Sequence, residues 1–352
     1  MEGNNTVLVS QIFSSLGIPT HARGLFRGIS RITPSEIYSI YPEAYQPYDL
    51  AGLKYSPMDE NYDFKNKKGL YFWPFGNTDK VKDLVHLTVF ETTSPHIPYT
   101  FIPKAISTCS EWGTNILKSM KFKCKIGNPI HAGVNTDIFN DKDRNYENAP
   151  HKFLIVAKHE ERKGIEVALK AFHIVSMGYT NITLTALITD PFDSNFNIIN
   201  YLKSSGIPSS GKIHLIRPPE SPKEMADLYR DHHVLLFPSR GEAIGLPIIE
   251  AMATGCVPIV TNTSAIPEYV GNAGLYIDVE KMEDVFDQKW FPIKGKFGQW
   301  AKPSLDSLVA NMIQLLENDA LWLMKSGQSS ARISKLFTWQ NAAKEALKEI
   351  NS

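Results

Sequence analysis

The stretch PSRGEAIGLPIIEAMATGCVPIVTN, residues 238–262, constrains this chain more than any other. It follows a short apolar run at 234–237 that is too brief for a helix and reads as a buried strand. A turn holding Gly241 and Gly245 comes next, then a helix from about Leu246, then a second apolar strand at 257–261. A strand that feeds a helix through a loop of small residues is an anion site, because exposed amides and the helix dipole both favour negative charge. Glu242 sits in that loop, and Glu250 lies about two turns further along the helix. Carboxylates accept paired hydroxyls, so the two glutamates suit a sugar and a ribose. A solvated Glu242 and an ordinary helical Glu250 satisfy the same spacing.

The same alternation of short apolar strands and helical patterns runs through most of the chain, which predicts parallel sheets of the α/β class. In the first half, strands are expected at 7–12, 37–41, 69–73, 85–90, 105–109 and 125–130, with a helix from about His21. Residues 140–150 (NDKDRNYENAP) are polar and rich in turn formers, and read as an interdomain linker. The pattern then restarts, with strands at 153–157, 182–188 and 213–216 and an amphipathic helix at 163–176. Ser221-Pro222-Lys223-Glu224 has the form of a capping box with proline at the first helical position. Residues 279–303 read as an irregular insertion before a helix at 305–317, and Thr338 as the N-cap of a last helix. The expected fold is α/β: two Rossmann-like, doubly wound parallel-sheet domains facing a cleft. The first spans 1–145 and the second 150–325, and a helical segment at 326–352 returns toward the first.

With 352 residues there is room for two such domains. Lysine plus arginine balances aspartate plus glutamate at 37 each, which removes the global basic signature of a dedicated nucleic-acid binder. Cys109, Cys124 and Cys256 lack metal-ligand spacing and read as buried thiols of a reducing compartment. With no signal-peptide pattern and no run long enough to span a bilayer, a soluble cytoplasmic protein is expected.

Six blocks in order resemble family 4 of the retaining glycosyltransferases, whose fold is termed GT-B. They are IHAGVNTDIF (130–139), VAKHEERKGIEVALKAF (156–172), EMADLYRDHHVLLFPS (224–239), PSRGEAIGLPIIEAMATGCVPIV (238–260), PEYVGNAGLYID (267–278) and FTWQNAAKEAL (337–347). VFETT (89–93), SEW (110–112) and GQWAKPSLDSL (298–308) resemble one branch of that family. The resemblance implies transfer of a sugar from a UDP- or GDP-linked donor with retention at the anomeric carbon, and no metal requirement. It places Lys158 and Lys163 on the donor diphosphate, with Arg162 beside them, Glu242 on the donor sugar and Glu250 on the ribose. The segment Ala243-Ile244-Gly245-Leu246 then lines the sugar and phosphate, and Gly17 lets a loop approach the diphosphate. Lysine at 158 departs from the arginine common in relatives. Ala243-Ile244 departs from their Gly-Phe or Gly-Trp, and alanine tolerates positive φ poorly.

For the acceptor side the candidates are Glu91, His86, Arg23 and Arg27. His86 is either a contact near the reacting centre or a core residue of an apolar strand. Glu91 either meets a sugar or caps a turn. Arg23, Arg27 and Arg31 recur at helical spacing, and Lys65, Lys67 and Lys68 form a second basic run. Lys118, Lys121, Lys123 and Lys125 form a third. These runs are either solvated faces or grips for an anionic acceptor: a glycan, a lipid or a nucleic acid. A transferase acting on modified DNA bases and a non-catalytic sugar-nucleotide-binding module are the alternatives. Oligomeric state is not readable from the sequence.

Overall fold

The computed structural model describes residues 5–12, 17–40, 53–58, 62, 64–72, 79–97, 101–147, 150–190, 197–204 and 211–352. Contacts divide the chain into two compact units. Unit 1 comprises Met1–Phe90, Pro95–Asn135 and Leu336–Ser352, and unit 2 comprises Glu91–Ser94 with Thr136–Lys335.

Unit 1 is built on a sheet of β1 (Thr6–Ser10), β2 (Ser35–Ser39), β3 (Ser56–Pro57), β4 (Gly69–Phe72), β5 (Val85–Leu87), β6 (Ala105–Ser107) and β7 (Lys125–Ile126). Their order is β3-β2-β1-β4-β5-β6-β7, and every pairing is parallel. Helices α1 (Gly17–Ser30) and α2 (Glu111–Ser119) make the crossovers that parallel strands require. Helix α1 begins at Gly17, four residues before the expected His21, and packs on the last helix of the chain, α10 (Trp339–Asn351). The Thr338 hydroxyl accepts from the Asn341 amide, the N-cap its position suggested.

Unit 2 repeats the plan. Its sheet contains β8 (Lys152–Lys158), β9 (Thr183–Thr189), β10 (Ile213–Leu215), β11 (Val234–Phe237), β12 (Val257–Thr261) and β13 (Leu275–Ile277). The order is β10-β9-β8-β11-β12-β13, all parallel. Both sheets therefore have the strand order that reverses direction beside its first strand, the topological switch point where α/β sheets bind ligands. Helices α3 (Ile165–Gly178), α4 (Ile198–Ser204), α5 (Pro222–Arg230), α6 (Leu246–Ala253) and α7 (Ile266–Val270) lie between the strands, and α8 (Leu305–Leu316) and α9 (Asp319–Leu336) follow. Alternation sorts the strand residues: Phe153, Val234, Leu236, Val257 and Ile259 join one core with Phe172 of α3, Met312 of α8 and Trp322 of α9. Burying a side chain of this size contributes about 1.5–3 kcal/mol, so this layer supplies much of the unit's stability.

Two expectations need correction. Residues 279–303 are not irregular: β14 (Val279–Asp284) and β15 (Gln299–Pro303) form an antiparallel hairpin. The polar stretch read as a linker from 140 onward is anchored within unit 2: Arg230 donates to the Asn140 carbonyl at 2.8 Å and the Ser330 hydroxyl to Asp141 at 2.6 Å. Buried Arg144 donates to the carbonyls of Tyr229, Arg230, Thr254 and His232 at 2.8–3.3 Å. A polar composition conceals that role, because the carbonyls it satisfies lie 85 to 110 residues downstream in the sequence.

Candidate functional site

In unit 2 the loops that follow β8, β11 and β12 converge. Strand β8 ends at Lys158, and a single 3-10 turn, Glu161–Lys163, leads to Gly164 and helix α3. Gly164 has φ 61°, and a Cβ there would lie 2.2 Å from the Pro238 carbonyl oxygen, so only glycine lets this turn press against the loop after β11. Two side chains that are distant in sequence meet as a result. The Lys163 ammonium donates to Glu242 Oε1 at 2.6 Å, and the Ser239 hydroxyl donates to the same oxygen at 2.7 Å.

Arg162 is the hub of the site. It lies 2.8 Å from Glu242, 2.8 Å from Glu160 and 3.7 Å from Glu91, and its Nη1 donates to the Gly241 carbonyl at 2.7 Å. Glu160 also pairs with Lys158 at 2.6 Å. Three cations thus face three carboxylates, and burial makes each charge dependent on the others. Burial opposes ionisation of Glu242, but Arg162 and Lys163 outweigh it and hold the carboxyl below its ordinary range. Burial likewise opposes Glu160, whose pKa the adjacent Arg162 and Lys158 bring down to about 2. The Arg162 guanidinium is held charged by Glu242, Glu91 and Glu160 against its own burial. For Lys163, burial and then the neighbouring Arg162 push the ammonium below the usual lysine value.

Glu91 reaches this network as part of unit 2. The Trp300 indole donates to the Glu91 carbonyl at 3.1 Å, and the Gln299 amide donates to the Thr93 hydroxyl at 2.8 Å. The β14–β15 hairpin therefore holds Glu91 and Thr93 in place within unit 2. Ser264, after β12, accepts from the Glu242 amide at 2.8 Å and takes φ 50°, unusual for serine. Ser239, Glu160 and Ser264 were missed in the sequence. The dense charge of KHEERK and the serine of PSRGE were the available signals, but neither states which atoms meet.

The rest of the opening stretch is also placed. Positive φ falls on Gly245 (82°), the N-cap of α6, and Ala243 is not among the residues with positive φ. The alanine therefore carries no backbone strain, and Pro247 in the first turn of α6 helps set the helix start. Ile244 is buried, and Ala243 and Leu246 are partly exposed beside it. Glu250 does not join the charge network. It accepts from the buried Tyr229 hydroxyl at 3.2 Å. Burial raises the Glu250 carboxyl to about 7, and the Tyr229 hydrogen bond only partly offsets this.

The remaining candidates lie in unit 1 and differ from expectation. His86 is fully buried in β5 with Nε2 2.9 Å from the Val81 carbonyl, and burial lowers its pKa to about 4. It is a core residue. Arg23 is buried and donates to the Ile12 carbonyl and Thr20 hydroxyl, Arg27 is half-buried, and Arg31 lies beyond the end of α1. These three arginines do not form one solvated face. At Gly17, space for a Cβ is open, so packing within the protein does not demand glycine. Among the described residues no three His, Cys, Asp or Glu side chains gather where they could hold a metal ion, and no helix is long and apolar enough to cross a membrane.

Residues 150–288 match the family described as glycosyl transferases group 1. Over 194 residues the chain is 23% identical to O-antigen chain mannosyltransferase B of Escherichia coli, a match covering 55% of this chain and 44% of that protein. It is 26% identical over 172 residues to D-inositol 3-phosphate glycosyltransferase of Paenarthrobacter aurescens (strain TC1), covering 45% of this chain and 41% of that one. The chain thus matches less than half the length of these curated relatives. A solved glycosyltransferase from Rickettsia africae ESF-5 shares the fold, with a TM-score of 0.69 at 13% identity over 99% of this chain and 98% of that one. Within unit 2, residues 150–288 thus match the group 1 glycosyl transferases, and the two parallel-sheet α/β domains have the GT-B fold.

Proposed function

We propose that the protein is a retaining glycosyltransferase of family 4. On this reading it moves a hexose from a UDP- or GDP-linked donor to an acceptor hydroxyl without a metal ion. The observation that carries the reading is the Glu242 carboxylate held by Lys163, Arg162 and Ser239 at the switch point of the unit 2 sheet. Glu242 meets the donor sugar, Lys158 and Lys163 meet the diphosphate, and Glu250 meets the ribose. The segment Ala243-Ile244-Gly245-Leu246 lines the pocket beside the α6 N-terminus, and Gly17 keeps the role that the resemblance implies.

The geometry refines how these groups work. In the free protein both lysines are paired with carboxylates, so a diphosphate must draw Lys158 from Glu160 and Lys163 from Glu242. Glu242 then stays anchored by Arg162 and Ser239 while its sugar-facing oxygen is available. Arg162 is a positioning residue, committed to three carboxylates, and does not replace the arginine common at position 158 in relatives. As the glycosidic bond breaks, Lys158 and Lys163 stabilise the departing diphosphate, where one preorganised group is worth about 2.7–4 kcal/mol. The leaving phosphate takes the acceptor proton. The acceptor on this reading is a glycan, a lipid or another anionic molecule. The names of the relatives, an O-antigen chain mannosyltransferase and a D-inositol 3-phosphate glycosyltransferase, support a glycan or a small anionic acceptor.

A thermal-shift panel of UDP- and GDP-sugars tests donor binding. Incubation of the stabilising donor with glycan and lipid acceptors, followed by NMR of the product's anomeric proton, tests transfer and retention. Binding of a nucleotide sugar without its consumption would make the protein a binding module, and an inverted product would remove the retaining assignment.

A further inference from the structure

The β14–β15 hairpin borders a cavity in unit 2 that the Glu242 network does not use. Its volume is about 530 Å³, within the range of about 300–1,000 Å³ that small-molecule sites occupy. Arg240 and Trp300 line it from the more buried side. The Arg240 amide donates to the Arg162 carbonyl at 2.7 Å, and the Arg240 carbonyl accepts from the Ala301 amide at 3.0 Å. Its guanidinium lies 3.0 Å from Glu166, 3.2 Å from Glu283 and 3.5 Å from Glu161, so backbone and side chain are both fixed. A Cβ at Gly241 would lie 2.4 Å from the Glu91 carbonyl oxygen and 3.2 Å from the Trp300 ring, so only glycine lets the indole sit this close. The cavity is therefore preformed.

Three acids (Glu161, Glu283 and Asp284) and three bases (Arg240, Lys281 and Lys294) line it. That balance leaves no net charge to draw in a polyanion, and so polar a lining does not suit an apolar ligand. These groups suit a dense array of hydroxyls: carboxylates accept, ammonium and guanidinium groups donate, and the Gln299 amide does both. Met282 and Phe286, exposed at 43% and 44%, add an apolar surface for the C–H face of a sugar ring. We propose that this cavity is a saccharide subsite that takes an uncharged segment of an oligosaccharide acceptor, the acceptor role resting on the proposed transferase function. Its position fits that role. Glu161 directly precedes Arg162, and Arg240 lies two residues before Glu242. Trp300 donates to the carbonyl of Glu91, whose carboxylate is 3.7 Å from Arg162. A saccharide in the cavity thus lies against the segments that carry the Glu242 network. An acceptor longer than one sugar gains contacts there that a monosaccharide cannot make.

An array of neutral and acidic oligosaccharides, probed with the full chain and no donor, tests the subsite. Binding is expected to uncharged chains of two or more sugars. Affinity for the best-bound chain, measured by titration calorimetry, should fall roughly tenfold in Phe286→Ala. A smaller loss is expected in Gln299→Ala, which removes the side-chain amide and keeps the backbone bond to Thr93. Unchanged melting temperatures, and unchanged stabilisation by a nucleotide sugar, identify both effects as local to the cavity. No binding to any neutral chain, a preference for acidic chains, or wild-type affinity in both variants would overturn the proposal. Because no donor is present, that failure leaves nucleotide-sugar binding untouched. Saccharide binding by a protein that no nucleotide sugar stabilises would instead keep the subsite and remove its acceptor role.

Discussion

Lysine does opposite work in the two units. In unit 2, Lys158 and Lys163 are matched to Glu160 and Glu242 at 2.6 Å within a network that is itself electrically balanced. In unit 1, Lys65, Lys67, Lys68, Lys118, Lys121 and Lys123 stand exposed at the surface. A buried charge must be paired or its desolvation is not offset, whereas an exposed charge has water as its partner. The same residue type is therefore fixed by buried carboxylates in one region and largely solvated in the other.

The comparison can be broken most severely at Glu242. Glu242→Ala is expected to lower turnover by roughly 100–1,000-fold, measured as donor consumption with a saturating acceptor. Near-normal rates would remove Glu242 from the reaction. Lys163→Ala should cost almost as much turnover while the protein stays folded, because Arg162 and Ser239 still satisfy Glu242. Arg162→Ala should instead act first on stability. It removes a partner from Glu242, Glu160 and Glu91, although Lys163 and Ser239 still hold the first and Lys158 the second. Removing one partner of a buried pair typically costs about 3–5 kcal/mol. Urea titration would show a lowered midpoint, and an unchanged midpoint would mean that water already solvates the network.

A gentler break uses pH. Burial raises the Glu250 carboxyl from its ordinary 4.5 to about 7, so the folded state holds its proton more tightly. Its contribution to stability is complete below 4.5 and is lost as pH rises through about 7. Binding of ribose hydroxyls needs the ionised acceptor, so nucleotide affinity should change in the opposite sense and rise across that window. Titration calorimetry at several pH values checks this, and Glu250→Gln should flatten the profile. Turnover is expected to survive EDTA, and full loss on chelation would contradict the metal-free proposal. The smallest effect belongs to the exposed lysines of unit 1: a single change such as Lys123→Ala should alter folding stability by less than about 0.5 kcal/mol.

Much of the fold was legible because strand and helix periods are local. The strand at 234–237, the helix from Leu246 and the strand at 257–261 lie where the pattern put them. Caps at Ser221 and Thr338 are equally local, each a hydroxyl meeting an amide three residues on. Illegible features had partners far away. The hairpin at 279–303 is held partly by Thr93 and Glu91, and Arg144 by carbonyls from three later segments. His86 and Arg23 show the limit for single residues, since apolar or basic spacing cannot say whether a polar side chain finds a buried partner.

By itself the sequence determined the α/β class, the repeated strand–helix plan and the stretch in which Glu242 and Glu250 lie, because these depend on neighbours within a few turns of chain. Only the tertiary structure decided that Glu242 shares one oxygen with Lys163, Arg162 and Ser239 while Glu250 turns to Tyr229. Parallel strands bring distant segments together end to end, and burial then dictates which charges must be paired.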